Sequence, residues 1–235
     1  MKKVHAQPPG APRIALIHAL AESVQPIHAA FERQWPEAVL FDLLDTSLAR
    51  DLACAGRLDP RMIERFLALG RYAAGTSGEG GRTAAILFTC SAFQPAIDAV
   101  KQALDIPVLR PNEAAFEQAL AIGGRVGLLV TFPPSLPALE TELRQMARER
   151  GVEISITGQV VEGALDALKA GDVSRHDELV ATAASRMPMT ESLVLGQFSL
   201  ARAAASIGPK QGRTLLTTPL SAVDKLRTEL SRASG

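Results

Sequence analysis

Cys90 is the residue of this chain whose position is best suited to proton transfer or covalent chemistry. It stands in FTCSAF, directly after the apolar run 83–89 and directly before a predicted helix. A side chain placed between a buried strand and a helix lies near free backbone N–H groups, which favour an anion. We therefore expect the pKa of this thiol to be lowered, so that a thiolate acts as a base or as a nucleophile. The alternative is a small residue packed in a tight turn.

Further polar residues are expected at the ends of neighbouring strands, where ligands of parallel sheets bind. His18 follows the first predicted strand, and we consider it a second catalytic residue. The candidate substrate-binding residues follow Cys90, follow the matching strands of the second half, or close the last strand. They are Ser91, Thr131, Gln197, Phe198, Ser199, Thr217 and Thr218. For each isolated hydroxyl the alternative is helix capping, and for His18 it is packing.

Short apolar runs alternate with helical patterns along most of the chain, which predicts parallel sheets with right-handed crossovers. The predicted strands are 13–18, 39–43, 83–89, 107–109, 125–130, 153–157, 192–196 and 214–217. Asp59 followed by Pro60 predicts the start of a helix, because an N-cap carboxylate and a proline at the first helical position are both favourable there. The glycine-containing segment 75–81 predicts a flexible loop.

The second half of the chain repeats the first. RIALIHALAESVQPI (13–27) aligns with RVGLLVTFPPSLPAL (125–139), and ILFTCSAF (86–93) aligns with LVLGQFSL (193–200). PVLRPNEAAFEQAL (107–120) aligns with TLLTTPLSAVDKL (214–226). The alternative is the general likeness of any two βα units. A duplication predicts two similar lobes with a ligand site in the cleft between them.

The fold class predicted is therefore α/β, with two pseudo-symmetric lobes, each a parallel-sheet α/β sandwich. We assign 13–120 together with 206–235 to lobe 1 and 121–205 to lobe 2. Residues 1–12, which contain three prolines, are predicted to be a disordered tail.

Composition excludes several classes of function. The 25 basic and 25 acidic side chains give a formal net charge of zero, so we expect neither nucleic acid nor a membrane surface as a partner. No apolar run approaches the roughly 20 residues of a membrane span. The four histidines are scattered and there is no CxxC, so no metal site is predicted. The two cysteines are expected to be free thiols in a reducing compartment, which predicts a cytoplasmic protein.

The segments RIALIHAL, ILFTCSAF, PVLRPNEA, RVGLLVTF and LVLGQFSLARAA, in this order, resemble the aspartate/glutamate racemase superfamily. That superfamily includes amino-acid and hydantoin racemases, maleate isomerase and arylmalonate decarboxylase, and the resemblance runs from about residue 13 to about residue 230. It implies two α/β lobes that enclose a small carboxylate, with no cofactor and no metal. It also implies one cysteine per lobe, such that one thiolate removes the α-proton and the other thiol returns a proton to the opposite face.

Several of the candidate site residues match the pattern of this superfamily, and one departs from it. Cys90 matches the cysteine of the first lobe, and Thr131 matches a threonine of the second. Ser91 matches the polar residue after the cysteine, and His18 the polar residue after the first strand. Gln197 stands where the second cysteine is expected, and a glutamine cannot cycle a proton.

The sequence therefore predicts a cofactor-independent racemase- or isomerase-like enzyme that acts at the α-carbon of a small carboxylate, an amino acid or a related acid. Cys90 would be the acid/base, with His18 or a bound water on the far face. One alternative is a decarboxylase, cis–trans isomerase or hydrolase that uses Cys90 alone. The other is an inactive member that binds a small anion. Phe93, Phe132 and Phe198 predict a bulkier or more apolar substrate if they face the cleft. The sequence leaves association into homo-oligomers open.

Overall fold

The structure is a computed structural model that describes residues 11–233, so most of the predicted tail lies outside the described residues. The first half contains β1 (Arg13–His18), α1 (Val24–Gln34), β2 (Val39–Leu44), α2 (Ser47–Ala55), α3 (Pro60–Gly75), β3 (Ser77–Gly78), β4 (Gly81–Phe88), α4 (Gln94–Ala103), β5 (Val108–Leu109) and α5 (Glu113–Ile122). The second half contains β6 (Gly124–Val130), α6 (Ser135–Arg150), β7 (Ile154–Val160), α7 (Ala164–Lys169), α8 (Val173–Arg186), β8 (Ser192–Leu195), α9 (Ala204–Ile207), β9 (Thr214–Thr217) and α10 (Thr218–Ala233).

Two parallel sheets of the same topology form the centres of the two lobes. The first lobe has the strand order β2-β1-β4-β5, and the second has β7-β6-β8-β9. Each of these four parallel strands thus has a counterpart at the same place in the other sheet, in the same sequence order, and the first sheet carries the short antiparallel β3 in addition. The predicted α/β architecture with two pseudo-symmetric lobes is confirmed.

The segment predicted as a flexible loop, 75–81, instead forms part of a hairpin. β3 pairs antiparallel with the start of β4, with Ser77 opposite Arg82 and Gly78 opposite Gly81. Gly80 and Gly81 have φ angles of +78° and +83°, a conformation that glycine adopts without a steric cost and that tight hairpin turns require. The glycines that indicated flexibility therefore build a defined turn.

Helix α3 begins as its sequence predicts. The Asp59 carboxylate accepts a hydrogen bond from the backbone N–H of Met62 at 2.8 Å, and Pro60 opens the helix. The apolar stripe that follows packs Phe66 against Phe88 of β4 and Phe93. Helix α3 thereby covers one face of the first sheet, behind the strand that leads to Cys90.

Both faces of the first sheet are covered by apolar side chains, which explains why its strands are continuous hydrophobic runs. Ile14 and Leu16 of β1 face one cluster, and Ala15 and Ile17 face the other. The first of these clusters contains Phe31 of α1. Burial of both faces holds β1 and β4 in a fixed register, and so fixes the carboxyl edge of the sheet.

The helix that follows the last strand of each half packs on the other lobe. Helix α5 places Phe116 in the core of the second lobe, and α10 places Val223 and Leu226 in the core of the first. The sequence assigned 13–120 together with 206–235 to lobe 1. Helix α10 packs on that lobe, but α5 lies against the second lobe, and β9 pairs with β8 in the second sheet. The backbone groups of β9 extend the edge of β8, while the apolar face of α10 covers β1. These two exchanged helices tie the lobes together.

Candidate active site

Cys90 and Gln197 occupy equivalent places in the two lobes. Cys90 follows β4 and precedes a short 3-10 helix, Ser91–Phe93; we call this segment the Cys90 turn. Gln197 precedes the 3-10 helix Phe198–Ala203 in the second lobe, and we call that segment the Gln197 turn. Both N-cap residues have extended backbones, with φ/ψ of −119°/123° and −139°/146°. The pseudo-symmetry therefore presents a thiol from one lobe and a carboxamide from the other.

The carboxyl edges of the two sheets face each other. The Gln197 turn contacts the 3-10 helix Ala21–Ser23, which follows β1 of the first lobe, and α6 of the second lobe contacts the Cys90 turn. The residues predicted at strand ends are thus brought to one inter-lobe region, as expected for a parallel-sheet protein.

The thiol of Cys90 differs electrostatically from the prediction. Cys90 is partly exposed, but desolvation by the surrounding protein raises the pKa of its thiol to about 11, and the backbone N–H of Ala92 opposes this rise only in part. The predicted lowering of the pKa is wrong. Among the described residues, no positively charged side chain acts on the sulfur, and the 3-10 helix has only one turn, so the cost of burying a charge prevails. At neutral pH the resting group is therefore a protonated thiol.

The side chain of Gln197 is oriented by Thr131, which follows β6. The backbone N–H and the hydroxyl of Thr131 lie 2.6 Å and 2.8 Å from Oε1 of Gln197. A backbone N–H can only donate, so the atom facing Thr131 must be the amide oxygen, and the assignment of the amide follows from chemistry. Within the part of the chain that the structure describes, the Nε2 group of Gln197 has no hydrogen-bond acceptor. The second lobe thus offers a fixed N–H donor.

Asn112 supports the Gln197 turn from the first half of the chain. Its Nδ2 donates to the carbonyl of Gly196 at 3.1 Å, and the hydroxyl of Thr218 donates to the carbonyl of Leu195 at 3.3 Å. Asn112 was not predicted as a site residue, because an asparagine before a helix resembles an ordinary N-cap. In the structure it makes no capping bond to α5 and instead reaches across to the second lobe.

We expect Gly196→Ala to destabilise the protein and to displace Gln197. An added Cβ would lie 2.9 Å from Leu128 Cδ1 and 3.2 Å from the backbone oxygen of Leu129, and overpacking of this kind costs roughly 1–3 kcal/mol. Gly75→Ala is the matched control, since its Cβ would meet no atom within 4 Å. Urea denaturation of both variants measures the difference. A Gly196→Ala protein as stable as the Gly75→Ala protein would contradict this packing.

His18 is enclosed within the first lobe, where its ring nitrogens contact side chains of that lobe. It is fully buried, its Nε2 lies 2.9 Å from Asp42 Oδ1, and its Nδ1 lies 2.8 Å from Thr89 Oγ1 and 3.2 Å from Ser23 Oγ. Burial lowers the pKa of His18, and the hydrogen bond and charge of Asp42 oppose this effect. Direct proton transfer from His18 to a substrate would need an accessible ring nitrogen, so the structure corrects that expectation.

The aromatic residues predicted to shape the substrate pocket divide into two groups. Phe93 and Phe198 are buried in core clusters, and Phe198 crosses from the second lobe to pack with β1 and α1 of the first. The structure therefore assigns Phe198 to packing and not to substrate binding, which corrects that prediction. Phe132 is 37% exposed and follows Thr131 at the cleft edge.

The remaining predicted residues are turn residues or are buried. Ser91 and Ser199 are partly buried on their turns, whereas Thr217 and Thr218 are almost fully buried. The Oγ1 atom of Thr217 has no hydrogen-bond partner among residues 11–233. Over the same residues, no group of three or more potential metal ligands comes together, and no helix is long and apolar enough to cross a membrane.

Comparison with solved structures places this fold among racemases and a decarboxylase. A glutamate racemase from Bacillus anthracis has a TM-score of 0.66 at 14% identity, covering 95% of this chain and 83% of the other. Allantoin racemase from Klebsiella pneumoniae has a TM-score of 0.66 at 17% identity, with coverages of 95% and 89%. A glycine-to-cysteine mutant of arylmalonate decarboxylase has 0.64 at 19%, with 92% of each chain covered. At these identities the likeness concerns the fold.

Sequence comparison assigns the family. No curated protein matches the chain significantly. The family model for Asp/Glu/hydantoin racemase matches residues 61–226, which include Cys90, Thr131 and Gln197. This match spans well over half of the chain and includes residues of both halves of the repeat. The protein belongs to the Asp/Glu/hydantoin racemase family.

Proposed function

We propose that this protein is an enzyme that transfers a proton at the α-carbon of a small carboxylate, with Cys90 as the acid/base on one face only. The observation that carries this proposal is the pairing of a thiol in one lobe with an oriented carboxamide at the equivalent place in the other. Family membership supports an isomerase-type enzyme. The substrate class is an amino acid or a related carboxylic acid, and no step requires a cofactor.

In this proposal Cys90 begins the cycle as a neutral thiol. A thiol with a pKa raised to about 11 is a proton donor at neutral pH and a strong base once ionised, which suits a weakly acidic carbon. The thiol gives its proton to a carbanionic carbon, or the thiolate removes one, and the Ala92 N–H that bonds the sulfur stabilises the ionised form. Ser91 and the backbone N–H groups of the Cys90 turn are the proposed donors to the substrate carboxylate.

Gln197 is proposed to bind the oxygen on which negative charge develops. When the α-carbon loses a proton, charge moves onto the carboxylate oxygens, and a donor that is already oriented stabilises it without reorganisation. Thr131 holds the amide oxygen with two hydrogen bonds, so the NH2 group is fixed before the substrate arrives. An amide cannot accept and return a proton in this way. Proton delivery from the second lobe is therefore absent from the proposed cycle.

Decarboxylation is the second candidate reaction, and the raised pKa of the thiol favours it. Loss of carbon dioxide from a malonate-type substrate leaves an enediolate, which then needs one proton from one side. A resting thiol can supply it directly, whereas removal of an α-proton needs the thiolate first. Cis–trans isomerisation and hydrolysis both require a nucleophilic thiolate, so the raised pKa of Cys90 favours them less.

The test is to incubate amino, hydroxy and aryl carboxylates with the enzyme in deuterated water and to follow each α-proton by NMR. Substituted malonates are included, with release of carbon dioxide measured. We expect at least one compound to exchange its α-hydrogen for deuterium or to lose a carboxyl group as carbon dioxide. The product should have a single configuration at the α-carbon. Conversion to a racemic product at the rate of exchange would contradict one-sided transfer. Ligand binding without any turnover would instead indicate an anion-binding protein.

A further inference from the structure

Asp42 joins a buried histidine to an exposed one behind the Cys90 turn. On β2, its Oδ1 lies 2.9 Å from Nε2 of His18, and both of its carboxylate oxygens lie 2.9 Å from Nε2 of His28 on α1. The His28 side chain is 39% exposed, whereas that of His18 is completely buried. We call His18, Asp42, His28, Thr89 and Ser23 the His18 network. It connects solvent to the residue that immediately precedes Cys90.

The hydroxyl groups of the His18 network form a chain with a direction. His18 Nδ1 lies 2.8 Å from Thr89 Oγ1, Thr89 Oγ1 lies 2.8 Å from Ser23 Oγ, and Ser23 Oγ lies 2.7 Å from the carbonyl oxygen of Leu20. These are the shortest contacts of the two hydroxyls, since Thr89 Oγ1 lies 3.4 Å from the carbonyl oxygen of Ile17 and Ser23 Oγ lies 3.2 Å from His18 Nδ1. Three short contacts need three hydrogen atoms, and the two hydroxyls supply two. When all three are hydrogen-bonded, the third hydrogen comes from Nδ1 of His18, so that hydrogen bonds run from His18 through Thr89 and Ser23 to the carbonyl of Leu20.

Loss of the Nδ1 proton reverses part of this chain. Thr89 must then donate to the bare nitrogen, and its contact with Ser23 no longer holds a hydrogen. Because Nε2–H faces the carboxylate of Asp42, the complete chain exists only when both ring nitrogens of His18 are protonated and Asp42 is the counter-charge. Asp42 and His28 are the charged groups that act on His18 from the packed elements. Burial opposes the proton more strongly than Asp42 favours it, so the pKa of His18 lies below its ordinary value of 6.5 and the complete chain forms only below that pH.

We propose that Asp42 is a positioning residue of the Cys90 centre, because by stabilising the proton of His18 it sets the direction of the hydroxyl chain that holds Thr89. This inference rests on the proposed function, in which Cys90 performs the chemistry. Thr89 anchors the start of the Cys90 turn through its side chain and through its backbone N–H, which donates to Ile17 at 3.0 Å.

The test compares Asp42→Asn with Asp51→Asn, a control on an exposed ion pair with Arg65. Removal of the Asp42 charge lowers the pKa of His18 further, so NMR titration of its ring should move to lower pH in Asp42→Asn alone. We expect kcat for α-proton exchange to fall by roughly 10–100-fold, as when the partner that orients a ligand histidine is removed, with KM little changed. Activity that depends on the proton of His18 falls as pH rises through its pKa, so this alkaline limb of the pH profile should move to lower pH with His18.

A second readout separates this inference from the proposed function. In a Cys54→Ser background, which removes the exposed thiol, alkylation of Cys90 by iodoacetamide needs no substrate. Because Thr89 holds the start of the Cys90 turn, we expect Asp42→Asn to change this alkylation rate at pH values where wild-type His18 is protonated. An unchanged alkylation rate together with an unchanged His18 titration overturns the positioning role. If Asp42→Asn changes the His18 titration and the Cys90 alkylation rate as expected, but the wild type exchanges no α-proton, the proposed function is wrong and the positioning role of Asp42 stands.

Discussion

The Cys90→Ala protein is expected to fold normally and to lose α-proton exchange or decarboxylation by roughly 10²–10⁴-fold, the usual contribution of a positioned acid/base. The loss should be this large because the opposite lobe offers Gln197, which cannot take over the proton transfer. Cys90 is partly exposed, so removal of its sulfur leaves little buried void. Exchange in deuterated water by NMR gives the rate, and thermal unfolding checks the fold.

The pH dependence of the thiol provides an independent check on Cys90. Burial raises its pKa to about 11, and the neutral form of an acid is favoured below its pKa. In the Cys54→Ser background the alkylation rate of Cys90 should therefore rise about tenfold per pH unit from pH 7 and level off only near pH 11. The Cys90→Ala protein, in which Cys54 alone reacts, serves as the exposed-thiol comparison. A plateau near neutral pH would show an activated thiolate and contradict the proposed resting state.

The sequence predicted the fold well because the relevant information was local. Residues 83–89 and 125–130 are continuous apolar runs, as strands covered on both faces must be, and the repeat located the matching strands in the second half. It assigned 206–235, which contains α10, to lobe 1, but it did not predict that α5 packs on the second lobe. That exchange depends on which apolar face each helix covers, and a single amphipathic pattern is compatible with either sheet.

The residues of the candidate site that lie at equivalent places in the repeat could be predicted from the sequence. Those that are positioned by contacts between distant segments could not. Alignment of the halves found Cys90, Gln197 and Thr131. Asp42 lies 24 residues from His18 in sequence and Asn112 lies 84 residues from Gly196, so no spacing rule indicates either contact. The pKa of Cys90 was predicted in the wrong direction, since a helix N-terminus can be read from sequence but desolvation by tertiary packing cannot.

A buried cluster of charges lies where the two lobes and the exchanged helices meet. Glu113 on α5 is 4% exposed at its side chain, and Lys101, Arg110 and Lys225 contact its carboxylate at 2.7 Å, 3.2 Å and 3.3 Å. Glu142 on α6 of the second lobe lies 3.2 Å from the same Arg110. Helices α4 and α5 and the segment between β5 and α5 thus share these charges with α6 and α10 of the second half. The cluster therefore lies at the junction of the two lobes.

Glu113→Gln is expected to destabilise the protein by roughly 3–5 kcal/mol at neutral pH, the usual cost of removing one partner from a buried ion pair. The cations, chiefly Lys101, lower the pKa of Glu113 against the opposing effect of burial. A lowered folded-state pKa contributes stability above the unfolded value and loses it as pH falls through the folded value. The difference between wild type and Glu113→Gln, measured by urea denaturation, should therefore shrink below about pH 4.5, the ordinary pKa of a glutamate.

Glu142→Gln is the matched control, because its carboxylate belongs to the same cluster but is expected to behave in the opposite way. Burial raises the pKa of Glu142 to about 7, so wild type should lose stability as pH rises from about 4.5 through 7, while the charge is forced onto a buried group. Glutamine mimics the protonated acid, and Glu142→Gln should be at least as stable as wild type at pH 8. Equal losses of unfolding free energy in Glu113→Gln and Glu142→Gln would contradict this difference between the two residues. They would mean that both carboxylates stabilise the lobe junction as anions.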